Sequence, residues 1–498
     1  MKLSYNWLND IIKTGLPVEK ISELLTGTGL EVEHIEEFNS IKGGLSGIVV
    51  GEVKTCTKHP NADKLSVTTV DAGGPELLHI VCGAPNVAAG QKVLVATVGC
   101  TVHPTKGEPF EIKRSKIRGE VSEGMICAED ELGLGESHDG ILVLPADYEI
   151  GAPANRYFEN YSDHLIEIGL TANRGDAASH LGTARDLRAV TNAQVNLPSY
   201  AIPALDAQKI KVTVEDTDCI RYSGVSMSGV EVKESPAWLQ NRLKVIGISP
   251  INNIVDITNY VMHELGQPLH AFDAKQISGD HITVKKVKEG TGFTTLDKIE
   301  RKLTGTECMI CDTEKPLAIG GVFGGLHSGI NPGTSEIFIE SAAFNPASVR
   351  KTAKQHGLNT DASFRYERGT DVEMTLIALG RAVQLITEVA GGSVSSAVTD
   401  VYPAPVQHAR VDFNIAKFTG LIGQHIEPTE IKRILTALDF KIVNESKDVL
   451  QLDVPAYRTD VTRFADVAEE IVRIYGLNNI EIPERIKRWV MLLNCSTR

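Results

Sequence analysis

The sequence lacks the segments that direct a chain into or across a membrane. Asn6, Asn9 and Asp10 interrupt the apolar run at its start, so no signal peptide is predicted there. No stretch approaches the roughly 20 apolar residues that a membrane-spanning helix needs. We therefore expect a soluble protein of the cytoplasm.

Cysteine is scarce, with eight residues in 498, and most of them stand alone. Cys308 and Cys311 form a CxxC pair, but a structural zinc site needs a second pair, and none follows. Isolated thiols of this kind are typical of buried cysteines in a reducing compartment. We predict buried thiols and neither a zinc site nor a redox site.

A basic excess is also missing. The chain has 50 Lys and Arg against 64 Asp and Glu, which gives a formal net charge of −14. Proteins that bind nucleic acid through a large positive face usually have a basic excess. Any RNA contact of this chain must therefore be local, or be supplied partly by another chain.

Several catalytic signatures are absent. The glycine pairs of "LAIGGVFGGLHSGINPG" are not followed by GK[ST], so they do not form a Walker loop, and their order does not fit GxGxxG. No GxSxG occurs, so a Ser/His/Asp triad is not supported. The glycine pairs indicate either plain turns or positions where the backbone closely approaches another group, such as a ligand or a second backbone segment.

The length predicts three or four domains. Proline-bearing stretches at 196–207 and 401–409 are typical of linkers. Short β-like runs between 46 and 150 predict a small barrel or sandwich. Residues 208–400 show mixed α and β character, and residues 410–480 form a smaller unit. In that unit a helix is predicted with Pro428 in its first turn. One face of it would carry Ile431, Ile434, Leu435 and Leu438.

Residues 256–274, "DITNYVMHELGQPLHAFDA", place His263 and His270 among apolar side chains. Each histidine is either a core residue bonded to backbone or a pocket residue that contacts a substrate. Glu340 raises a similar question in the apolar strand "IFIESAAF", where it is either exposed by alternation or buried against a partner. Spacing alone leaves these alternatives open.

A cluster of acids lies in "RTDVTRFADVAEEIVRIYG". Asp466, Glu469 and Glu470 share one helix face at spacings of three and four residues, and Asp460 lies just upstream. The acids either complement the helix macrodipole or hold a hard cation such as Mg²⁺ or Ca²⁺.

Several longer motifs occur in the order typical of one family. They are "HPNADKLSV", "VCGAPNV", "KIRGEVSEGMICAEDELGL", "TANRGDAASHLGTARDLRAV", "DITNYVMHELGQPLHAFD", "IGGVFGGLHSG", "TDASFRYERG" and "VPAYRTDVTRFADVAEEIVRIYG". From residue 1 to about 483 the chain resembles the beta subunits of bacterial phenylalanine–tRNA ligase. The final residues, "ERIKRWVMLLNCSTR", differ from the family's continuation, so we expect a chain truncated at its C-terminus.

The resemblance implies a multidomain α+β protein whose N-terminal module is split by an inserted OB-fold β-barrel. An α+β editing domain of the B3/B4 type and a small winged-helix-like domain of the B5 type would follow. The implied bounds are 1–39 and 152–200 for the split module, 40–151 for the tRNA-binding-type barrel, 208–402 for the editing domain, 407–482 for the B5 domain and 483–498 for an atypical tail.

The resemblance also implies partners and cofactors. Members form α2β2 heterotetramers that bind tRNA(Phe), and the alpha subunit uses ATP to make Phe-tRNA. No segment here is similar to the ATP-binding motifs of class II synthetases. The chemistry implied for the beta subunit itself is hydrolysis of mischarged Tyr-tRNA(Phe). Such proofreading is needed because an apolar pocket cannot strongly reject an added hydroxyl.

Matching motif positions imply where this editing would occur. Glu340 would accept a hydrogen bond from the tyrosyl phenol, which phenylalanine cannot donate. Thr258, Asn259 and His270 would orient the ester and a water molecule. His263 has no implied role and is predicted to be structural. The implied editing residues are Thr258, Asn259, His270, Gly324, Glu340, Thr360 and Ala362.

Two further sites are implied. The first is a Mg²⁺ site at the junction with the alpha subunit, formed by Asp460, Asp466, Glu469 and Glu470. The second is tRNA binding by the barrel. Its local cations are Lys58, Lys64, Lys113, Arg114, Lys116 and Arg118.

An alternative is a non-catalytic scaffold that binds tRNA and the alpha subunit while its editing pocket is inactive. The presence of Thr258, His270 and Glu340 favours the editing hypothesis.

Overall fold

The computed structural model describes residues 1–197 and 200–481. Two compact units are present: one contains residues 1–36 and the described residues from 164 to 481, and the other contains residues 37–163. Residues 198–199 of the predicted linker, residue 482 and the predicted tail 483–498 lie outside the described residues.

The chain begins with β1 (Lys2–Ser4), α1 (Tyr5–Ile11), α2 (Val18–Gly27) and β2 (Glu31–Asn39). Ser4 caps α1, because its hydroxyl accepts a hydrogen bond from the backbone N–H of Trp7 at 3.0 Å. Four apolar side chains at the start of the chain are all buried: Trp7, Leu8, Ile11 and Ile12.

Residues 37–163 form a small, nearly closed β-barrel, and the predicted OB-fold class is confirmed. The main sheet runs β11-β6-β3-β4-β5, with β12 also paired to β6. Its core includes the fully buried Val50, Val93 and Val95. The strands are β3 (Ile48–His59), β4 (Ala62–Asp71), β5 (Leu78–Cys82), β6 (Lys92–Thr97), β7 (Thr101–Val102), β8 (Phe110–Glu111), β9 (Ser115–Ile117), β10 (Glu120–Ser122), β11 (Gly124–Ile126) and β12 (Val143–Leu144).

Two elements after the barrel complete the N-terminal module, β13 (Ser162–Gly169) and α3 (His180–Thr191). Strand β13 lies between β1 and β2 in a three-stranded sheet. The ring of Trp7 stacks on both His180 and Tyr260, with centroid distances of 4.1 Å to each. These contacts fix the module against the domain that follows.

The next domain is α+β, as predicted, and contains two five-stranded sheets and a two-stranded sheet, β18-β19. One five-stranded sheet runs β14-β17-β20-β21-β22, and the other runs β16-β23-β15-β24 with β25 also on β15. Its strands are β14 (Lys211–Val214), β15 (Cys219–Ser228), β16 (Leu269–Asp273), β17 (His281–Lys285), β18 (Gly292–Thr294), β19 (Glu300–Lys302), β20 (Met309–Cys311), β21 (Pro316–Ile319), β22 (Phe323–Gly324), β23 (Glu336–Phe344), β24 (Ser393–Val394) and β25 (Thr399–Val401). Its helices are α4 (Ala237–Val245), α5 (Asn253–Leu265), α6 (Pro346–His356), α7 (Asp361–Tyr366) and α8 (Met374–Ala390).

Strand β23 separates two cores. Ile337 and Ile339 pack on one side, in a cluster with residues of α5 and α8. Phe338, Ala342 and Phe344 pack on the other side, with residues of the first sheet. Side chains alternate across a strand, so Glu340 belongs to the face of Phe338 and Ala342. A carboxyl group therefore enters the core between the two sheets.

The last domain contains β26 (Arg410–Asn414), α9 (Ile415–Ile422), α10 (Pro428–Ala437), β27 (Lys441–Ser446), β28 (Val449–Asp453) and α11 (Phe464–Tyr475). The sheet order is β26-β28-β27. Pro428 occupies the first turn of α10, as predicted. The predicted apolar face is buried, although Leu438 follows the last helical residue.

The CxxC pair lies in the core of the first sheet. Cys308 and Cys311 are 5% and 2% exposed. Burial raises the pKa of both thiols, to about 11 for Cys311, so neither is an activated thiolate. Within residues 1–197 and 200–481, every helix is too short or too polar to span a bilayer.

Candidate functional site

Helix α5 presents polar side chains to a cavity in the α+β domain. Asn252 caps the helix by accepting hydrogen bonds from the backbone N–H groups of Ile254 at 3.1 Å and Val255 at 3.0 Å. Gly266 ends it with a φ of +84°, a conformation that favours glycine. The residues of α5 that line the cavity recur at spacings of three and four: Val255, Thr258, Asn259 and Met262.

The turn after α5 leads into β16, which lies beside β23. In the antiparallel register of these strands, His270 stands directly opposite Glu340. Directly opposed residues project from the same face of a sheet, with Cβ atoms about 4.5–5.5 Å apart. Both side chains line the same cavity.

His270 is held as a neutral ring against a glycine. Burial lowers the pKa of His270 to about 4, so the imidazole is uncharged at neutral pH. Its Nε2 atom is buried and has no hydrogen-bond partner among the described residues. A Cβ atom on Gly324 would lie 2.9 Å from Cε1 of His270 and 3.0 Å from Cδ1 of Leu296. Only glycine allows this approach without displacing the histidine ring.

The carboxyl group of Glu340 is buried, and no cation in residues 1–197 and 200–481 pairs with it. Its one hydrogen-bond partner within the described residues is the hydroxyl of Tyr222, which donates to Oε2 at 2.6 Å. Burial raises the pKa of Glu340 to about 7, while the hydrogen bond from Tyr222 acts in the opposite direction. When ionised, this carboxylate is a strong acceptor for a further hydroxyl.

Helix α7 begins at the wall of the cavity. Thr360 caps it, because its hydroxyl oxygen accepts from the backbone N–H of Ser363 at 3.0 Å. The same hydroxyl donates to the carbonyl of Val322 at 3.1 Å, which ties α7 to the turn before β22. Ala362 is half-buried beside it, and its small side chain leaves space in the cavity.

All seven predicted editing residues line one cavity of about 460 Å³. Apolar side chains form most of the remaining wall, which is typical of a pocket for a small organic group. Polar groups on α5, β16, β23 and α7 converge on it. The arrangement can accept an aromatic ring and offer it the buried carboxyl of Glu340 and a neutral imidazole. The lining also includes the exposed Asp361 and the hydroxyl groups of Thr258, Thr360 and Tyr366.

Three contributors were missed by sequence analysis: Tyr222, Leu296 and Tyr366. The signal for Tyr222 lies in strand register, since Tyr222 stands opposite Ala342, one diagonal step from Glu340. That register is set between strands more than 100 residues apart, and no local pattern reveals it.

His263 belongs to α5 but does not line the cavity. Its side chain lies in a buried network on another face of the helix. Arg365 donates from Nη2 to its Nδ1 at 3.1 Å, and His180 donates from Nδ1 to its backbone carbonyl at 2.9 Å. Burial, followed by the nearby Arg365, holds its pKa well below the usual value. These contacts give His263 a structural role.

The four acids predicted to bind Mg²⁺ are already engaged or dispersed. Asp460 accepts two hydrogen bonds from Arg458, at 3.0 and 2.9 Å. Asp466 accepts from the backbone N–H groups of Thr462 and Arg463 at 3.0 and 3.1 Å. Glu469 is exposed.

Glu470 is buried in an ionic network. It pairs with Arg458 and with Arg473, whose Nε donates to Oε1 at 2.9 Å. Arg473 also bonds Asp186 of α3 at 2.8 Å, so the network joins α11 to the N-terminal module. Across residues 1–197 and 200–481, no group of three or more His, Cys, Asp and Glu is arranged to hold a metal. The residues therefore do not fit a magnesium site in this chain by itself.

Two basic stretches of the barrel are held together by hydrogen bonds: the residues around Lys58 and Lys64, and the run from Lys113 to Arg118. Nε2 of His59 donates to the carbonyl of Ile117 at 3.1 Å, and Nδ2 of Asn61 donates to that of Arg118 at 3.2 Å. Lys113 and Arg114 pair with nearby acids. The others are exposed and have no ion-pair partner in the described part of the chain. We call these six cations, Lys58, Lys64, Lys113, Arg114, Lys116 and Arg118, the basic surface.

Family models match three regions of the chain. A putative tRNA binding domain matches residues 48–153. A B3/4 domain matches residues 218–391, the region that contains the cavity. A tRNA synthetase B5 domain matches residues 411–477.

Relatives cover nearly the whole chain. A phenylalanine–tRNA ligase beta subunit of Bacteroides fragilis is 51% identical over 495 residues, which are 98% of this chain and 60% of that protein. The corresponding subunits of Porphyromonas gingivalis and Salinibacter ruber are 51% and 42% identical, each over 98% of this chain and 60% of theirs. The chain thus spans about 60% of the length of these relatives.

A similar solved structure is an N-terminal fragment of the phenylalanyl-tRNA synthetase beta subunit of Pyrococcus horikoshii. It is 12% identical, with a TM-score of 0.40, and the match covers 95% of this chain and 99% of that one.

Glu470→Gln should destabilise the protein by about 3–5 kcal/mol, because it leaves two buried arginines without their shared carboxylate. Urea unfolding of the chain measures this change. Glu469→Gln is the matched control, one residue away on the exposed face of α11, and should change the free energy of unfolding by less than about 0.5 kcal/mol. Equal effects of the two substitutions would contradict the network.

Mg²⁺ should not raise the stability of the wild-type chain alone.

Proposed function

Because the chain belongs to the phenylalanine–tRNA ligase beta-subunit family, we propose that it hydrolyses Tyr-tRNA(Phe) in the cavity between its two sheets. The observation that carries the proposal is the buried carboxyl of Glu340, which lies directly opposite His270 and pairs with no cation among the described residues. The cavity of about 460 Å³ is of the size that small organic groups occupy in proteins.

The chemistry of the pocket favours a para-hydroxylated ring. An ionised Glu340 accepts a hydrogen bond from the phenol of tyrosine. Phenylalanine leaves that acceptor unpaired in an apolar site, which costs about 1–3 kcal/mol or more for a charged group. The pocket therefore selects the amino acid that a synthetic site for phenylalanine rejects poorly.

Ester cleavage is assigned to Thr258 and Asn259 on α5 and to His270 on β16, the strand beside Glu340. Thr258 and Asn259 orient the ester from one helix face. The unpartnered Nε2 of the neutral His270 is available to bind a water molecule or the ester. A neutral imidazole can accept a proton from water, which a protonated one cannot. Gly324 keeps the ring in place, and Thr360 and Ala362 close the wall.

The remaining properties of the family are also proposals for this chain. It assembles with an alpha subunit as an α2β2 heterotetramer in the cytoplasm, binds tRNA(Phe), and supports ATP-dependent Phe-tRNA synthesis on that subunit. Magnesium binding is confined to that assembly. Of the four acids, Asp466 and Glu469 are not paired with a buried arginine. Asp460 and Glu470 would first have to break their ion pairs with Arg458 and Arg473 before they could bind a metal.

A non-catalytic scaffold is the second candidate. The ionic network that joins α11 to α3 favours it, because such a network holds domains together without chemistry. The two candidates differ in one measurable property, the hydrolysis of the aminoacyl ester.

Deacylation of Tyr-tRNA(Phe) and Phe-tRNA(Phe) by the purified chain tests the proposal. The wild type should hydrolyse the tyrosyl ester preferentially. Glu340→Ala should reduce the preference by about 10- to 100-fold, because an unmade hydrogen bond to a charged group is worth about 1.5–3 kcal/mol. His270→Ala should slow hydrolysis of both esters.

Glu336→Ala is the control, since Glu336 lies on the same strand but outside the cavity, and it should behave as the wild type. Unchanged Tyr-tRNA hydrolysis in both Glu340→Ala and His270→Ala would refute the assignment. No hydrolysis by the wild type, with tRNA binding retained, would support the scaffold.

A separate experiment tests the basic surface. Replacing Lys116 and Arg118 by alanine should weaken tRNA binding and reduce the slope of log affinity against log salt by roughly two. Lys106→Ala, an exposed lysine of the barrel outside this surface, is the control. A tRNA affinity insensitive to salt would contradict phosphate binding by the barrel.

A further inference from the structure

Glu340 has two carboxylate oxygens, and the structure gives them different surroundings. Oε2 accepts the hydroxyl of Tyr222 at 2.6 Å. Tyr222 is fully buried in the core between the sheets. Glu340 contributes to the wall of the cavity, whereas Tyr222 does not appear in its lining among the described residues. The tyrosine therefore lies behind the carboxyl group, on the side away from the cavity.

The position of Tyr222 is set by the backbone. In the pairing of β15 with β23, Tyr222 stands opposite Ala342 and Gly224 stands opposite Glu340. A Cβ atom on Gly224 would lie 2.2 Å from the ring of Phe338, so residue 224 must be glycine to leave that ring its place. Because glycine has no side chain, residue 224 cannot bond the carboxyl of Glu340. The diagonal neighbour, Tyr222, makes that hydrogen bond instead.

We propose that Tyr222 is a positioning residue that fixes the Glu340 carboxylate by holding Oε2, so that Oε1 faces the cavity as the acceptor for the substrate hydroxyl. This proposal rests on the proposed editing function. A free carboxylate could rotate about its last torsion and present either oxygen or neither. Held at one oxygen, it offers a single directed acceptor, and preorganisation of this kind raises discrimination without adding a contact to the substrate.

The groups that surround Glu340 make this bond matter for its ionisation. The titratable neighbours are Tyr222 and Cys219 on β15, Tyr366 on α7 and His270 on β16. All are neutral near pH 7, since burial raises the pKa of both tyrosines and of the thiol and lowers that of His270. Arg221 on β15 bonds Asp400 and Arg365 on α7 bonds Asp361, so neither arginine pairs with Glu340. The hydroxyl of Tyr222 is the group that favours the charged form of Glu340.

Tyr222→Phe tests the proposal by removing one buried oxygen. The Glu340 midpoint should rise by roughly one pH unit or more, because the lost bond favours the ionised form. At pH 7 the ionised fraction would fall from about one half to about one tenth. Preferential hydrolysis of Tyr-tRNA(Phe) should then drop about fivefold at pH 7 and recover partly at pH 8.5.

Tyr457→Phe is the matched control. Tyr457 is also a buried tyrosine, but it lies outside the cavity lining, and its hydroxyl donates to the backbone carbonyl of Leu438 at 2.8 Å. Its removal should lower stability and should leave the pH midpoint of hydrolysis where it is in the wild type. If the effect were a general response to losing a buried hydroxyl, the pH midpoint of hydrolysis would shift in both variants or in neither.

A second readout does not depend on RNA. A carbon-13 NMR titration of the glutamate carboxyls, with Glu340→Gln to assign the resonance, reports the Glu340 midpoint in the chain itself. A wild type that fails to hydrolyse Tyr-tRNA would refute the editing function and leave this titration to judge Tyr222. An unchanged Glu340 midpoint in Tyr222→Phe would overturn the proposal. So would a shifted midpoint with full preference for tyrosine retained at every pH.

Discussion

The central constraint on this molecule is a carboxyl group placed between two β-sheets, where no cation in the described part of the chain neutralises it. Burying an unpaired charge is costly, and the group responds by a raised pKa. For Glu340 this pKa is about 7. The surrounding elements are arranged around that group: β16 brings His270 opposite to it, and β15 supplies the hydroxyl of Tyr222. Helix α5 ends at Gly266, so that the chain can turn from the helix into β16.

The same chain uses a second buried carboxylate in the opposite way. Glu470 lies between Arg458 and Arg473, and these arginines hold its pKa far below the usual value, against the effect of burial. Its oxygens are fully engaged, and it joins α11 to the N-terminal module through Asp186. Glu340 retains an oxygen for a ligand, whereas Glu470 retains none. One buried glutamate therefore suits recognition, and the other suits cohesion between domains.

Much of the fold could be predicted from the sequence. Glycine and proline between short β-like runs indicated the barrel, and the spacing of Ile431, Ile434 and Leu435 indicated α10. These signals are local, because period and turn chemistry act over a few residues. The resemblance to a family supplied the candidate site that spacing alone left open.

What could not be predicted depends on contacts between distant segments. Tyr222 and Glu340 are 118 residues apart, and their approach is fixed by strand register. The ion pairs of Arg458 with Asp460 and Glu470 could not be predicted either. The spacing of acids on a helix face does not indicate which cations pack against it. The basic surface follows from His59 and Asn61, which bond a hairpin more than 50 residues away.

The most direct test of the account compares three esters of tRNA(Phe) that differ only at the para position: tyrosine, O-methyltyrosine and phenylalanine. The O-methyl group keeps the ring oxygen and removes the hydrogen that Glu340 would accept. The account predicts rapid hydrolysis of the tyrosyl ester by the wild-type chain, and slow hydrolysis of both others. Hydrolysis of the O-methyltyrosyl ester at the rate of the tyrosyl ester would contradict it, because selection would then not depend on a donated hydrogen bond.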